Sequence, residues 1–205
     1  ATATSHVFIV FINSGSAPAS TFLLYGFQVE QQSYATSYIP TDGTTVTRNQ
    51  DLCTNGGSVS TINSTSGVLY FEGSALADDG TYRLISLEDN SDSSTFAYIG
   101  YKDTSNTIRV RVEIGGTLSA DMEFVLTSAK DLNKIAFKWK TNDFALWVNG
   151  VEVSTDTSGA SFTANTLDSV NFSRNNINNF FGNTKCLAVW KEALTDLELQ
   201  KLTTI

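Results

Sequence analysis

Apolar positions recur in short blocks from about residue 44 onward, each closed by a cluster of Ser, Thr, Asn, Asp or Gly. The blocks are Val68–Glu72, Tyr82–Leu87, Thr95–Tyr101, Thr107–Glu113, Met122–Leu126, Lys134–Lys140, Phe144–Asn149, Val151–Val153, Ser169–Phe172 and Cys186–Trp190. Several alternate with period two, which puts successive side chains on opposite faces of a strand. Thr141-Asn142-Asp143 and Asn149-Gly150 are turn signals, the second suited to a tight hairpin. Strands punctuated by turns every ~8–12 residues predict an antiparallel β-sandwich or jelly roll. Upstream, 6–12 and 21–30 are two further strand signals, followed by a linker through Pro40 and the turn Asp42-Gly43. Two strands alone are marginal in water, so this hairpin must pack on something else. Thr195-Asp196-Leu197-Glu198 is a capping box, with Leu194 and Leu199 placed as a hydrophobic staple. It predicts one short helix over 196–203, docked on the sandwich edge.

The alternation also assigns faces. Ile135, Phe137 and Trp139 form one side of their strand, with Ala136, Lys138 and Lys140 opposite. Phe144, Leu146 and Val148 oppose Ala145, Trp147 and Asn149; Ile108, Val110 and Val112 oppose Arg109, Arg111 and Glu113. If these strands share a sheet, Arg109, Arg111, Lys138, Lys140, Asn149 and Trp147 share its outer face, and all but Lys140 are assigned to carbohydrate binding. An indole among cations suits stacking on a sugar and pairing with a carboxylated or sulfated glycan. The same pattern also suits an ordinary solvated sheet face, with Trp147 covered by residues 1–32. Trp139 and Trp190 are in phase with apolar neighbours and are assigned to the core. For Phe96 and Tyr98, against Ala97, Ile99 and Tyr101, the parity is clear but the inward side is not.

Composition narrows the function. The chain has 205 residues, 41% hydrophobic and 17% charged, with a net charge of −8. That excludes a disordered or coiled-coil chain and argues against a nucleic-acid partner, which calls for clustered Lys and Arg. No apolar run approaches the ~20 residues of a membrane helix, so no membrane insertion is expected. The start Ala1-Thr2-Ala3-Thr4-Ser5 shows no secretory leader. Cys53 and Cys186 are too few for a disulfide scaffold, and reduced, buried thiols are expected. The single histidine, His6, leaves little for triad or zinc chemistry.

Three stretches resemble a known family. Gln28-Val29-Glu30-Gln31, Thr36-Ser37-Tyr38-Ile39-Pro40-Thr41 and Thr47-Arg48-Asn49-Gln50-Asp51 are similar to the junction that enters a concanavalin A-like or laminin-G-like sandwich in bacteriophage tail proteins. Lys134–Trp139 with Phe144–Val151 resembles the central hairpin of those sandwiches. Leu187–Leu199 resembles their last strand and closing helix. The resemblance implies a two-sheet concanavalin A-like jelly roll over 41–205, with 1–40 as the tail end of an upstream β-module in a longer chain. It also implies a virion location on a tail or surface fibre, synthesis in the bacterial host cytoplasm, and partners that are bacterial surface glycan and other virion subunits, in a homotrimer.

Several glucanases share that fold, but their Glu-x-Asp-x-x-Glu strand is missing here, so no catalytic residues are assigned. No cofactor is expected. Calcium is entertained only at Glu88-Asp89-Asn90-Ser91-Asp92, where an acidic hairpin turn is the simpler reading. The polar run Arg174-Asn175-Asn176-Ile177-Asn178-Asn179 suits hydrogen bonding to sugar hydroxyls or a structural loop equally. Three functions follow: a non-catalytic adhesion domain on bacterial carbohydrate, a structural virion domain without a ligand, and a glycan-degrading enzyme or its accessory module.

Overall fold

Each apolar block becomes a strand in the computed structural model, which describes residues 37–40, 42–46 and 56–205. The described strands are β1 (Ser66–Ala75), β2 (Arg83–Asp89), β3 (Asp92–Tyr101), β4 (Thr107–Ile114), β5 (Thr117–Val125), β6 (Asn133–Lys140), β7 (Phe144–Val148), β8 (Val151–Asp156), β9 (Ser169–Asn171) and β10 (Gly182–Trp190), followed by α1 (Asp196–Thr203). They form two five-stranded antiparallel sheets, ordered β10-β1-β6-β7-β8 and β5-β4-β3-β2-β9. The predicted strands at 6–12 and 21–30, and Cys53, lie outside the described residues.

The inward side of every alternating strand is its apolar side. Leu69 and Phe71 of β1, with Ile135, Phe137 and Trp139 of β6, meet Ile85, Leu87, Ile99 and Val110 of the other sheet in one buried core. This settles the parity of β3: Ala97, Ile99 and Tyr101 point in, while Phe96 and Tyr98 point out into a small separate cluster with Leu84. Asn149 and Gly150 both hold positive φ, 50° and 87°, and Val148 pairs with Val151 across the turn. This is the backbone a two-residue hairpin demands and the reason Asn-Gly is informative.

The capping box forms. The Glu198 carboxylate accepts from the Thr195 amide at 2.8 Å, and the Glu198 amide donates to the Thr195 hydroxyl. Hydrogen bonds from Thr195 hold the Glu198 carboxyl below the usual carboxylate range. Thr195→Ala is expected to cost about 1 kcal/mol, seen as a Tm lower by about 2–4 °C. An unchanged Tm would mean that the helix is held by its apolar face alone.

Three expectations are corrected. The helix docks on the outer face of the first sheet, over β6, β7 and β8, and not on the edge. Small residues explain this: Ala136 sits between Tyr70 and Trp147 in one cross-strand row, leaving a depression in which Leu199 is buried. Trp139 is in the core, but Trp190 is half-buried on the outer side, edge-on to Tyr70 with ring centroids 6.0 Å apart. Cys186 is an exposed free thiol because β10 is the outermost strand of its sheet among the described residues.

Candidate functional site

The five residues expected to form a single sugar platform do not share a surface. Arg109 and Arg111 lie on β4 of one sheet, whereas Lys138, Trp147 and Asn149 lie on or beside β6 and β7 of the other. The alternation gives each residue its correct face, but the assumption of one common sheet fails. Trp147 is 6% exposed, packed with Val68, Tyr70, Ala145 and Leu199 beneath α1. The Lys138 ammonium is buried and directed to Asp143 at 2.7 Å and Asp196 at 3.6 Å. Asn149 accepts from the Lys134 amide at 2.9 Å and donates to the Asn133 side chain at 2.9 Å. These three side chains fasten the helix and hairpin.

The arginines stay half-exposed on the outer face of the second sheet, within a ladder of alternating charge. Arg109 makes a two-pronged pair with Asp121, its Nε donating at 2.7 Å. Arg111 donates to Glu113 at 2.6 Å and to Asp121 at 3.3 Å, and Lys102 meets Glu123 at 2.9 Å. The hydrogen bond from Arg109 holds the Asp121 carboxyl below its ordinary range, and Asp121 in turn raises the guanidinium. Register puts Glu123 opposite Arg109 and Asp121 opposite Arg111, so the two-pronged Arg109–Asp121 pair runs diagonally between the strands while Arg111 and Glu113 pair along one strand. Paired guanidinium groups offer little to a sulfate or carboxylate, because binding one would break the existing two-pronged bonds.

A different part of the same face forms a cleft of roughly 260 Å³, lined by Glu88, Asp89, Asn90, Ser93, Asn171, Ser173, Asn175 and Asn176. Two loops that stand out separately in the sequence meet here, the acidic β2–β3 turn and the Asn-rich run after β9. Short β9 brings them together by pairing with β2, Ser86 opposite Asn171 and Glu88 opposite Ser169. The Ser86 hydroxyl lies 2.5 Å from the Ser173 carbonyl and 2.6 Å from Glu88 Oε1, and the Asn175 amide donates to the same Oε1 at 3.2 Å. Asn175, Asn176 and Asn178 hold φ of 50°, 59° and 55°, a left-handed conformation that Asn tolerates better than most residues. The Arg174 guanidinium lies 3.7 Å from the Phe96 ring centre beside the cleft.

Two of the three carboxylates entertained for calcium, Asp89 and Asp92, are turned to their own loop, whereas Glu88 faces the cleft. Asp89 accepts from the amide and hydroxyl of Ser91, and Asp92 from Ser94 and Thr95. Those donors hold the Asp92 carboxyl below its usual range. The loop forms a hairpin turn between β2 and β3, with Asp89 opposite Asp92. Both loops are visible in the sequence but their meeting is not: Glu88 and Asn175 are 87 residues apart.

Solved structures share this architecture. The Ruminococcus gnavus IT-sialidase CBM40 bound to α2,3-sialyllactose has a TM-score of 0.58 at 16% identity, over 71% of this chain and 85% of that one. The leech intramolecular trans-sialidase has a TM-score of 0.57 at 17% identity, over 69% of this chain. The match spans 24% of the sialidase's own length. The heptameric SAP-like pentraxin of Limulus polyphemus has a TM-score of 0.54 at 13% identity, over 73% of each chain. At such identities the likeness is one of fold. The chain is a concanavalin A-like jelly-roll sandwich. No protein-family model and no curated protein matches its sequence.

Proposed function

We propose that the chain is a non-catalytic glycan-binding module and that the cleft between the β2–β3 turn and the Asn-rich loop is its sugar site. The observation that carries this reading is the lining: four Asn side chains, two Ser and two carboxylates converge on one concave surface. Amides and carboxylates arranged this way match the alternating donors and acceptors of sugar hydroxyls. The fold likeness to modules solved with sialyllactose supports a saccharide ligand. A single shallow site of this kind binds with Kd of ~mM, or ~−4 kcal/mol, so several copies acting together must supply the remaining affinity.

The biological setting we propose is a bacteriophage tail fibre or related virion protein, a homotrimer adhering to bacterial surface carbohydrate. It rests on the resemblance of residues 28–51 to phage tail junctions.

The test is an array of bacterial and host glycans probed with the full chain, repeated with Asn175→Gly and Asn176→Gly. Glycine keeps the positive φ at both positions while removing the amide. Saturable binding weakened about tenfold or more by either change is expected. Binding that survives both changes but is lost on Arg109→Ala would move the site to the charged ladder. Binding to no glycan would overturn the reading.

A further inference from the structure

We infer that this cleft selects neutral or amine-bearing saccharides and rejects carboxylated ones; the inference rests on the cleft being the sugar site. Its lining includes Glu88 and Asp89 and, among the described residues, no Lys, Arg or His. Glu88 is 9% exposed, fixed on the outer side of β2. One of its oxygens, Oε1, already accepts from Ser86 and Asn175. No hydrogen bond from a described residue reaches Oε2, and no described cation forms an ion pair with Glu88. The nearby Arg174 guanidinium is instead stacked on Phe96.

The Oε2 of a carboxylate held this way can accept a donor from a ligand in place of water. A sugar hydroxyl supplies a neutral donor, and the ammonium of a deacetylated amino sugar supplies a charged and stronger one. A sialic or uronic acid would bring a second negative charge into a partly desolvated cleft, where like charges repel far more than in water. The net charge of −8 acts in the same direction at longer range. Specificity is then achieved partly by repulsion, with Glu88 as the repelling group. Arg109 and Arg111, farther along the same face, are committed to Asp121 and Glu113.

The experiment measures full-chain binding to an array of neutral, amine-bearing and carboxylated oligosaccharides. Lactose with sialyllactose, and N-acetylated chitotriose with its fully deacetylated form, serve as matched pairs for titration. Lactose is expected to bind at least about tenfold tighter than sialyllactose, and deacetylated chitotriose more tightly than its N-acetylated form. Glu88→Gln retains an acceptor for Ser86 and Asn175 but removes the charge, and should erase about tenfold of that preference. Asp89→Asn, read in parallel with circular dichroism, guards against a folding defect in the first variant. Carboxylated members binding as tightly as neutral ones, or a preference unchanged in both variants, would overturn the selectivity while leaving the sugar site standing. Binding to nothing on the array would overturn both.

Discussion

Trp139→Ala is expected to remove about 3–5 kcal/mol of stability, a several-fold larger loss than that of Thr195→Ala. The indole is 0% exposed and lies between the sheets with Phe137, ring centroids 6.0 Å apart. Truncation leaves a cavity that the surrounding strands can close only in part. It also removes the bond from the indole nitrogen to the Ser64 carbonyl at 3.1 Å. Ser64 is itself a tie point, its hydroxyl accepting from the amides of Thr166 and Leu167 at 3.0 and 2.9 Å. Gly67 explains why no smaller adjustment compensates: a Cβ there would lie 2.4 Å from the indole ring and 2.5 Å from the Trp190 carbonyl. The ring thus rests against bare backbone. Urea unfolding followed by circular dichroism measures the effect; a loss under about 1 kcal/mol would place the indole outside the cooperative core.

The strands are legible in the sequence because alternation is a local property. Ile135, Phe137 and Trp139 have to face one way and Lys138 the other wherever their strand goes. Sheet membership is not local. β4 pairs with β3 and β5, whereas β6 pairs with β1 and β7, and nothing in either strand's own alternation distinguishes those outcomes. Arg109 and Trp147 can therefore each be given the correct side and still be joined in a platform that does not exist. The cover over Trp147 does leave a trace. Ala136 and Ala145 on its face are too small to fill a solvated sheet surface and are what a docked helix requires. The capping box reveals that helix but not the face it covers, which depends on those alanines. The cleft is half legible: its two loops stand out by composition, and only the pairing of three-residue β9 with β2 joins them.

Leu199→Ala is expected to cost about 2–4 kcal/mol and to loosen α1 from the sheet. Leu199 is buried among Val68, Tyr70, Ala136, Ala145 and Trp147, with Leu202 and Leu194 packed around it. The other ties are polar. The Gly150 amide donates to the Thr203 hydroxyl at 3.1 Å, and the Lys134 ammonium to the Thr204 carbonyl at 2.7 Å. An eight-residue helix has too little intrinsic stability to hold its shape undocked, so the lost packing falls directly on the helix–sheet contact. The Trp147 indole N–H, buried without an acceptor among the described residues, reports that contact. Its hydrogen exchange should accelerate in the variant while that of Trp139, in the core behind the sheet, changes less. Equal acceleration at both indoles would show that helix and sandwich open as one unit. Unaltered stability would show that Leu199 does not anchor the helix. Because the cleft lies on the opposite sheet, glycan binding by the variant at low temperature should match that of the parent. Loss of binding with the sandwich still folded would show that the docked helix supports the cleft through the sheets.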